Sequence, residues 1–325
     1  MKIAVNGLGR IGRNVLRAAI NKNVEIVAVN DIMDIKLAAY LLRFDTIRGS
    51  LDVEVISDDI IKVGDNFIKY TTYSHPKETH FEEADIVLEC SGKFLRSDEV
   101  KYHIKGNVKK VIISAPANDD TPTYVLGVNH KDYKGENVIS NASCTTNCLA
   151  PIAKVIDEKF GIKRGFMTTI HSYTMDQKLL DSPNYRDIRR SRAAAANIIP
   201  TFTGAAKAIY KVLPNLKGKL DGRSVRVPVA NVSLMDLVLE LSCEVSADEI
   251  NELLEFHAKT DLRGILEIDN DYKVSSDINS NPASSIVAKD LTQANKDLVK
   301  IFSWYDNEWG YSNRMIEMAE FVIKY

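Results

Sequence analysis

Apolar residues fall at two different spacings in the first part of the chain. "KIAVN" (2–6), "VEIVAVN" (24–30), "ADIVLECSG" (84–92) and "KKVIISAP" (109–116) are short, nearly all apolar, and end in small or turn-forming residues. Such runs predict strands buried on both faces. Between the first two, "IGRNVLRAAINK" (11–22) carries apolar residues at helical spacing. Strands alternating with helices predict βαβ units and a parallel sheet. From about residue 165 the texture changes. "RGFMTTIHSY" (164–173), "GRSVRVPVANVSLMDLVLELSC" (222–243) and "LVKIFSWYD" (298–306) are longer and half polar, as in antiparallel sheets with one covered face. "SNRMIEMAEFVIKY" (312–325) reads as an amphipathic helix. The pattern predicts a boundary near residue 143, with an α/β domain on a parallel sheet before it, residues 1–143, to which 308–325 is assigned. Residues 144–307 are expected to form an α+β domain on a largely antiparallel one.

The turn after the first predicted strand is "NGLGRIG", with Gly7, Gly9 and Gly12 in G-x-G-x-x-G spacing. A strand precedes it and a helix follows, which is the context that gives the motif meaning. Gly7 would permit the tight turn, Gly9 a close approach of backbone to a pyrophosphate, and Gly12 close helix–strand packing. The helix start offers free N–H groups and partial positive charge to phosphates. Asp31 closes the second strand, where a carboxylate can accept from ribose hydroxyls and repel a 2′-phosphate. A Rossmann-type domain binding NAD in preference to NADP is therefore expected. The plainer alternative is an ordinary βαβ turn with Asp31 as a helix cap.

Composition narrows the field further. A length of 325 residues exceeds what a single core sustains. Net charge is −2, so no basic field exists to make nucleic acid the main partner. No apolar run approaches the roughly 20 residues of a membrane helix. "MKIAVNGLGR" reads as strand and turn, without a secretory leader's layout. The cysteines Cys90, Cys144, Cys148 and Cys243 form neither a disulfide framework nor a C-x-x-C pair. A cytoplasmic protein is expected. No histidine stands at ligand spacing from Cys144 and Cys148, so no metal site is expected.

Cys144 lies in "SNASCTTNCLAP" (140–151), a polar setting for a thiol, ahead of the helical run "TTNCLAPIAKVIDEKF" (145–160). A thiol at a helix N-terminus is expected to have its pKa lowered. His171, on a strand-like run among hydroxyl residues, is the candidate base. Patterning alone leaves open that Cys144 is an inert packing cysteine. Cys148, one turn further along the helix, faces apolar neighbours and reads as structural.

"ASCTTNCLAP", "HSYTMDQ", "RAAAANIIPTFTGAAKA", "VRVPVANVSLMDL" and "SWYDNEWGYSNR" together resemble the glyceraldehyde-3-phosphate dehydrogenase family, and the likeness runs the length of the chain. The resemblance implies phosphorylating, NAD-dependent aldehyde oxidation in glycolysis or its reverse. It assigns Cys144 as nucleophile, forming a hemithioacetal and then a thioester, and His171 as base. The Cys144 N–H, with protonated His171, would hold the oxyanion. Thr174 and Arg226 would contact the substrate phosphate, Ser143, Thr203 and Gly204 the inorganic one, and Thr145 lies beside both. On the cofactor side the resemblance adds Arg10 and Ile11 at the pyrophosphate, Ser114 near the cofactor, and Asn307 at the nicotinamide amide. A surface charge (Arg226) and a polar turn (Asn307) are the plainer readings. "DSPNYRDIRRSRAAAANIIP" (181–200) matches the family's inter-subunit loop, implying a homotetramer, although Arg186, Arg189, Arg190 and Arg192 also read as a solvated face. That loop is one residue longer than the family pattern. Phe202 stands where a small hydroxyl is usual, "VANVS" replaces T-P-N-V-S, and "SHPK" (74–77) lacks an adenine-facing arginine. A sister activity on erythrose 4-phosphate, and an NADP-using biosynthetic form, are the alternatives.

Overall fold

The computed structural model describes residues 1–325. The chain divides into two compact units: Met1–Val125, His130–Ser143 and Ser312–Tyr325 in the first, Leu126–Asn129 and Cys144–Tyr311 in the second. No helix is long and apolar enough to cross a membrane.

In the first unit the strands are β1 (Lys2–Asn6), β2 (Glu25–Asn30), β3 (Phe44–Asp45), β4 (Gly49–Ser50), β5 (Val53–Ser57), β6 (Ile60–Val63), β7 (Asn66–Thr71), β8 (Ile86–Glu89), β9 (Lys110–Ile113) and β10 (Val138–Ser140). Helices α1 (Arg10–Asn21), α2 (Ile35–Arg43) and α3 (Ser97–Val100) interrupt them. The main sheet runs β10-β9-β8-β1-β2-β7-β6-β5, parallel from β10 to β7 and antiparallel across β7, β6 and β5. Ile3, Val5, Ile86, Leu88 and Ile112 are buried at its centre, as an all-apolar strand sequence requires. Helix α1 buries Val15 and Leu16 completely, worth roughly 1.5–3 kcal/mol each.

The glycine turn is shaped by contact. Gly7 adopts φ +95°, and a Cβ there would lie 2.5 Å from Ser91 backbone atoms. A Cβ on Gly12 would sit 1.9 Å from the Gly7 carbonyl oxygen. Around Gly9 nothing lies within 4 Å of the equivalent point.

The second unit opens with α4 (Cys144–Phe160), followed by β11 (Ile162–Ser172), β12 (Ile199–Phe202), β13 (Leu220–Val227), β14 (Ser233–Leu241), α5 (Ala247–Lys259), β15 (Leu266–Asp269), β16 (Ser285–Ala288), β17 (Gln293–Asn295), β18 (Leu298–Tyr305) and the start of α6 (Trp309–Val322). The sheet order is β12-β13-β11-β14-β18-β16-β15, with β17 beside β18. It is antiparallel except for β11·β13 and β15·β16. The polar run 222–243 is two strands and not one. Pro228 follows β13, and Val232 takes φ +72° just before β14. Proline has no N–H for a ladder, and a left-handed β-branched residue turns the chain.

Gly12→Ala should destabilise the protein by about 3 kcal/mol or more, since the new methyl meets a backbone oxygen. Gly9→Ala should cost under about 1 kcal/mol. Urea melts of the two variants check the contrast, and equal losses would contradict the packing role of Gly12.

Candidate active site

At the first unit's strand ends, Asp31 sits beside the glycine turn. One carboxylate oxygen accepts from the Leu8 N–H (2.6 Å) and the other from the Met33 N–H (3.1 Å). Helix α2 is capped instead by Asp34, which accepts from Lys36 and Leu37 N–H, so Asp31 is not its cap. Each Asp31 oxygen keeps a lone pair for a further donor. Gly9 is the N-cap of α1 without a side-chain cap bond, so the first-turn amides point outward from Arg10, Ile11 and Gly12. The Arg10 guanidinium pairs with Asp45. Burial opposes ionisation of Asp45, but Arg10 and the Arg48 and Ile47 N–H groups hold it at about 2. Ser114 follows β9, its N–H bonded to the Glu89 carbonyl (2.9 Å). An open cradle over Gly9, outward amides and a carboxylate at the second strand's end are the donor set that a dinucleotide fits.

In the second unit, Cys144 is the first residue of α4 and His171 the penultimate residue of β11. The Cys144 Sγ lies 3.8 Å from His171 Nε2. Parallel register pairs His171 with Arg226 across β11·β13. His171 Nδ1 lies 2.8 Å from the Ser172 carbonyl, which can only accept, and 2.6 Å from Arg226 Nη1, which can only donate and also reaches that carbonyl (3.1 Å). With the ring proton on Nδ1 toward that carbonyl, Nε2 presents a lone pair to the sulfur. Burial, followed by the charges of Arg226 and Arg190, depresses the imidazole to about 3. His171 is therefore neutral at rest, and an imidazolium forms there only once the ring takes a proton. The thiol departs from expectation. Burial pushes Cys144 up, against the pull of the Thr145 hydroxyl and Arg226. The helix terminus acts with that pull, but desolvation of the anion outweighs it. The resting pair is a thiol facing a neutral base.

Tyr305 braces the pair from behind. Its hydroxyl meets Thr145 Oγ1 (3.0 Å) and Thr169 Oγ1 (2.7 Å), and its ring sits edge-on to His171 at 6.0 Å. Cys148 is buried against Ser285 Oγ (3.5 Å). Burial raises its thiol to about 12.

Arg226 is buried at Nε with no partner there. The Thr174 hydroxyl donates to Asp176, which also pairs with Arg190. The Arg190 side chain is 15% exposed. Burial and the charge of Arg226 both lower its pKa. Arg190 is the residue that sequence reasoning missed: four arginines occupy that loop, and nothing in their spacing marks the one that turns inward. Thr203 Oγ1 accepts from the Ala205 N–H (3.3 Å), and Gly204 is exposed. Neither bonds to Cys144, His171 or Arg226. Ser143 ends the first unit. Asn307 is buried beyond β18.

A dinucleotide-type fold in one unit and a thiol–imidazole–arginine cluster in the other define a nicotinamide-dependent oxidoreductase. Residues 1–97 match the domain described as glyceraldehyde 3-phosphate dehydrogenase, NAD binding domain. Residues 143–307 match the same enzyme's C-terminal domain. The chain is 52% identical to glyceraldehyde-3-phosphate dehydrogenase 1 of Bacillus cereus, covering 99% of this chain and 98% of that one. It is 51% identical to the Bacillus subtilis (strain 168) protein of the same name, covering 100% and 98%. It is 50% identical to the Mycobacterium bovis glyceraldehyde-3-phosphate dehydrogenase, covering 100% and 99%. The chain belongs to the glyceraldehyde-3-phosphate dehydrogenase family.

The thiols make an internal control. Iodoacetamide should modify Cys144 and the exposed Cys243, while Cys90 and Cys148, buried and raised to about 12, stay unmodified. His171→Asn should slow alkylation of Cys144 by roughly tenfold or more, through loss of its base. The Cys243 rate should not change. Peptide mapping over time reads both, and equal slowing at the two sites would refute the pairing.

Proposed function

We propose that this protein oxidises D-glyceraldehyde 3-phosphate with NAD and inorganic phosphate, giving 1,3-bisphosphoglycerate and NADH. The observation that carries the reading is Cys144 Sγ at 3.8 Å from a neutral His171 Nε2, with the Arg226 guanidinium alongside. Nε2 takes the Sγ proton as sulfur bonds to the aldehyde carbon, and returns it to the new oxyanion to give a hemithioacetal. The Cys144 N–H at the start of α4 holds the oxyanion as it forms. NAD, when bound, supplies the hydride acceptor. As the hydride leaves the carbon, Nε2 takes the hydroxyl proton, and the carbonyl reforms as a thioester. A phosphate oxygen then attacks the acyl carbon, and Cys144 leaves as thiolate. Thioesters are more activated toward phosphate than oxygen esters, which is the reason for sulfur here.

Arg226 and Thr174, joined by Arg190, are assigned to the substrate phosphate. Ser143, Thr145, Thr203 and Gly204 are assigned to the inorganic one. In the first unit Gly7, Gly9, Gly12 and the amides of Arg10 and Ile11 are assigned to the pyrophosphate, Asp31 to the ribose, and Ser114 to the cofactor's surroundings. In the second, Asn307 is assigned to the nicotinamide amide. The first unit is read as the nucleotide-binding domain and the second as the catalytic one. A homotetramer is supported by Met175, Leu179, Leu180, Tyr185, Ile188 and Phe202, all strongly exposed on one segment. Four free thiols suit a reducing cytoplasm.

An initial-rate assay with glyceraldehyde 3-phosphate and erythrose 4-phosphate, each with and without phosphate, tests the reaction. Turnover should be highest with the triose and should need phosphate, and Cys144→Ser should lower it by at least about 10³-fold. Phosphate-independent turnover, or preference for the tetrose, would overturn the assignment. Arg226→Gln removes a charge that keeps His171 neutral, so the histidine's pKa should rise toward its ordinary value. With unphosphorylated glyceraldehyde, the acid limb of kcat/KM should then move to higher pH. A limb that stays or moves down would show that Arg226 does not set the imidazole's charge.

A further inference from the structure

Three neighbouring strands bring their ends together around Asn307. Ser172 closes β11, Ser233 opens β14, and Asn307 lies just past β18. The strands adjoin in the order β11-β14-β18, with Ser233 opposite Tyr305. Ser172, Ser233 and Asn307 are 0%, 1% and 7% exposed. Ser172 Oγ and Ser233 Oγ each donate to Asn307 Oδ1 at 3.0 Å. The Ser233 oxygen also accepts from the Ser172 N–H (3.2 Å).

These bonds settle which way the amide points. A serine hydroxyl has one proton to give. Both protons go to Oδ1, and Nδ2 is left with no partner in the chain. A flipped amide would donate to both serine oxygens and leave two buried hydroxyl protons without an acceptor, which is unfavourable. The same Ser172 receives His171 Nδ1–H and Arg226 on its carbonyl. One residue thus links the imidazole to the amide.

We infer that Ser172 and Ser233 are positioning residues that lock Asn307 as a hydrogen-bond donor toward the carboxamide oxygen of the nicotinamide. The inference rests on the reading above that Asn307 meets that group. Without the two hydroxyls the amide is free to turn its carbonyl outward, where it would meet another acceptor. The loss falls on the nicotinamide end of the cofactor alone.

ADP-ribose lacks the nicotinamide, so paired titrations with NAD and ADP-ribose isolate the effect. The Ser172→Ala/Ser233→Ala variant should bind NAD about tenfold more weakly and ADP-ribose within about twofold of the parent. Asn307→Ala should match it, and adding both serine changes to Asn307→Ala should cost nothing more, because all three act through one group. Asn307→Asp, which satisfies both hydroxyls but presents only acceptors, should lose as much as Asn307→Ala. Ser172→Thr and Ser233→Thr keep the hydroxyls and should keep the affinity. Should the double variant fail to fold, the single alanine variants carry the test, each with a smaller selective loss.

The outcomes separate cleanly. If Asn307→Ala binds NAD like the parent, Asn307 does not meet the nicotinamide, and the reading falls together with the inference. If Asn307→Ala weakens NAD but the serine variants do not, the inference alone falls. If the triple variant binds more weakly than Asn307→Ala, the serines act elsewhere and the inference is again overturned.

Discussion

The parallel register of β11 against β13 is the constraint on which the rest of the second unit depends. It pairs His171 with Arg226 and leaves the Ser172 carbonyl as acceptor for both. A slip of one residue would turn every side chain of the strand to the opposite face. It would part the imidazole from the sulfur and from the arginine in one step. The hydrophobic faces of β11 and β14, with Met167, Leu237 and Leu239 buried, hold that register. The chemistry is thus anchored by packing some distance away from it.

This arrangement sets protonation by surroundings more than by intrinsic acidity. Removing water raises the energy of a thiolate and of an imidazolium alike. Arg226 adds repulsion to the ring while attracting the sulfur, so the two groups respond differently to the same charge. The site waits as an uncharged pair and separates charge when an electrophile arrives. Arg190, drawn inward by its pairs with Asp176 and Asp187, deepens that field.

The architecture was legible from periodicity, because buried parallel strands and half-covered antiparallel ones have different apolar spacings. The glycine turn was legible because its residues answer steric demands that act within a few positions. The break at Pro228–Val232 was hidden inside a run of uniform β propensity. The direction of the thiol's shift is not legible in the sequence, because helix position can be read from a string of letters, whereas burial cannot. Arg190 and the Ser172–Ser233–Asn307 fork stayed invisible for a related reason. Each depends on which of several like residues turns inward once distant strands meet, and local patterning carries no record of that.

Asp31 ties cofactor choice to the mechanics of the phosphate turn. Its carboxylate, assigned above to the ribose, also accepts from the Leu8 N–H at 2.6 Å. A redesign that empties this site to admit a 2′-phosphate also unfastens the turn assigned to the pyrophosphate, so selectivity and grip should decline together. Asparagine keeps an acceptor for Leu8 and removes the charge, which makes it the more conservative starting point for changing the coenzyme.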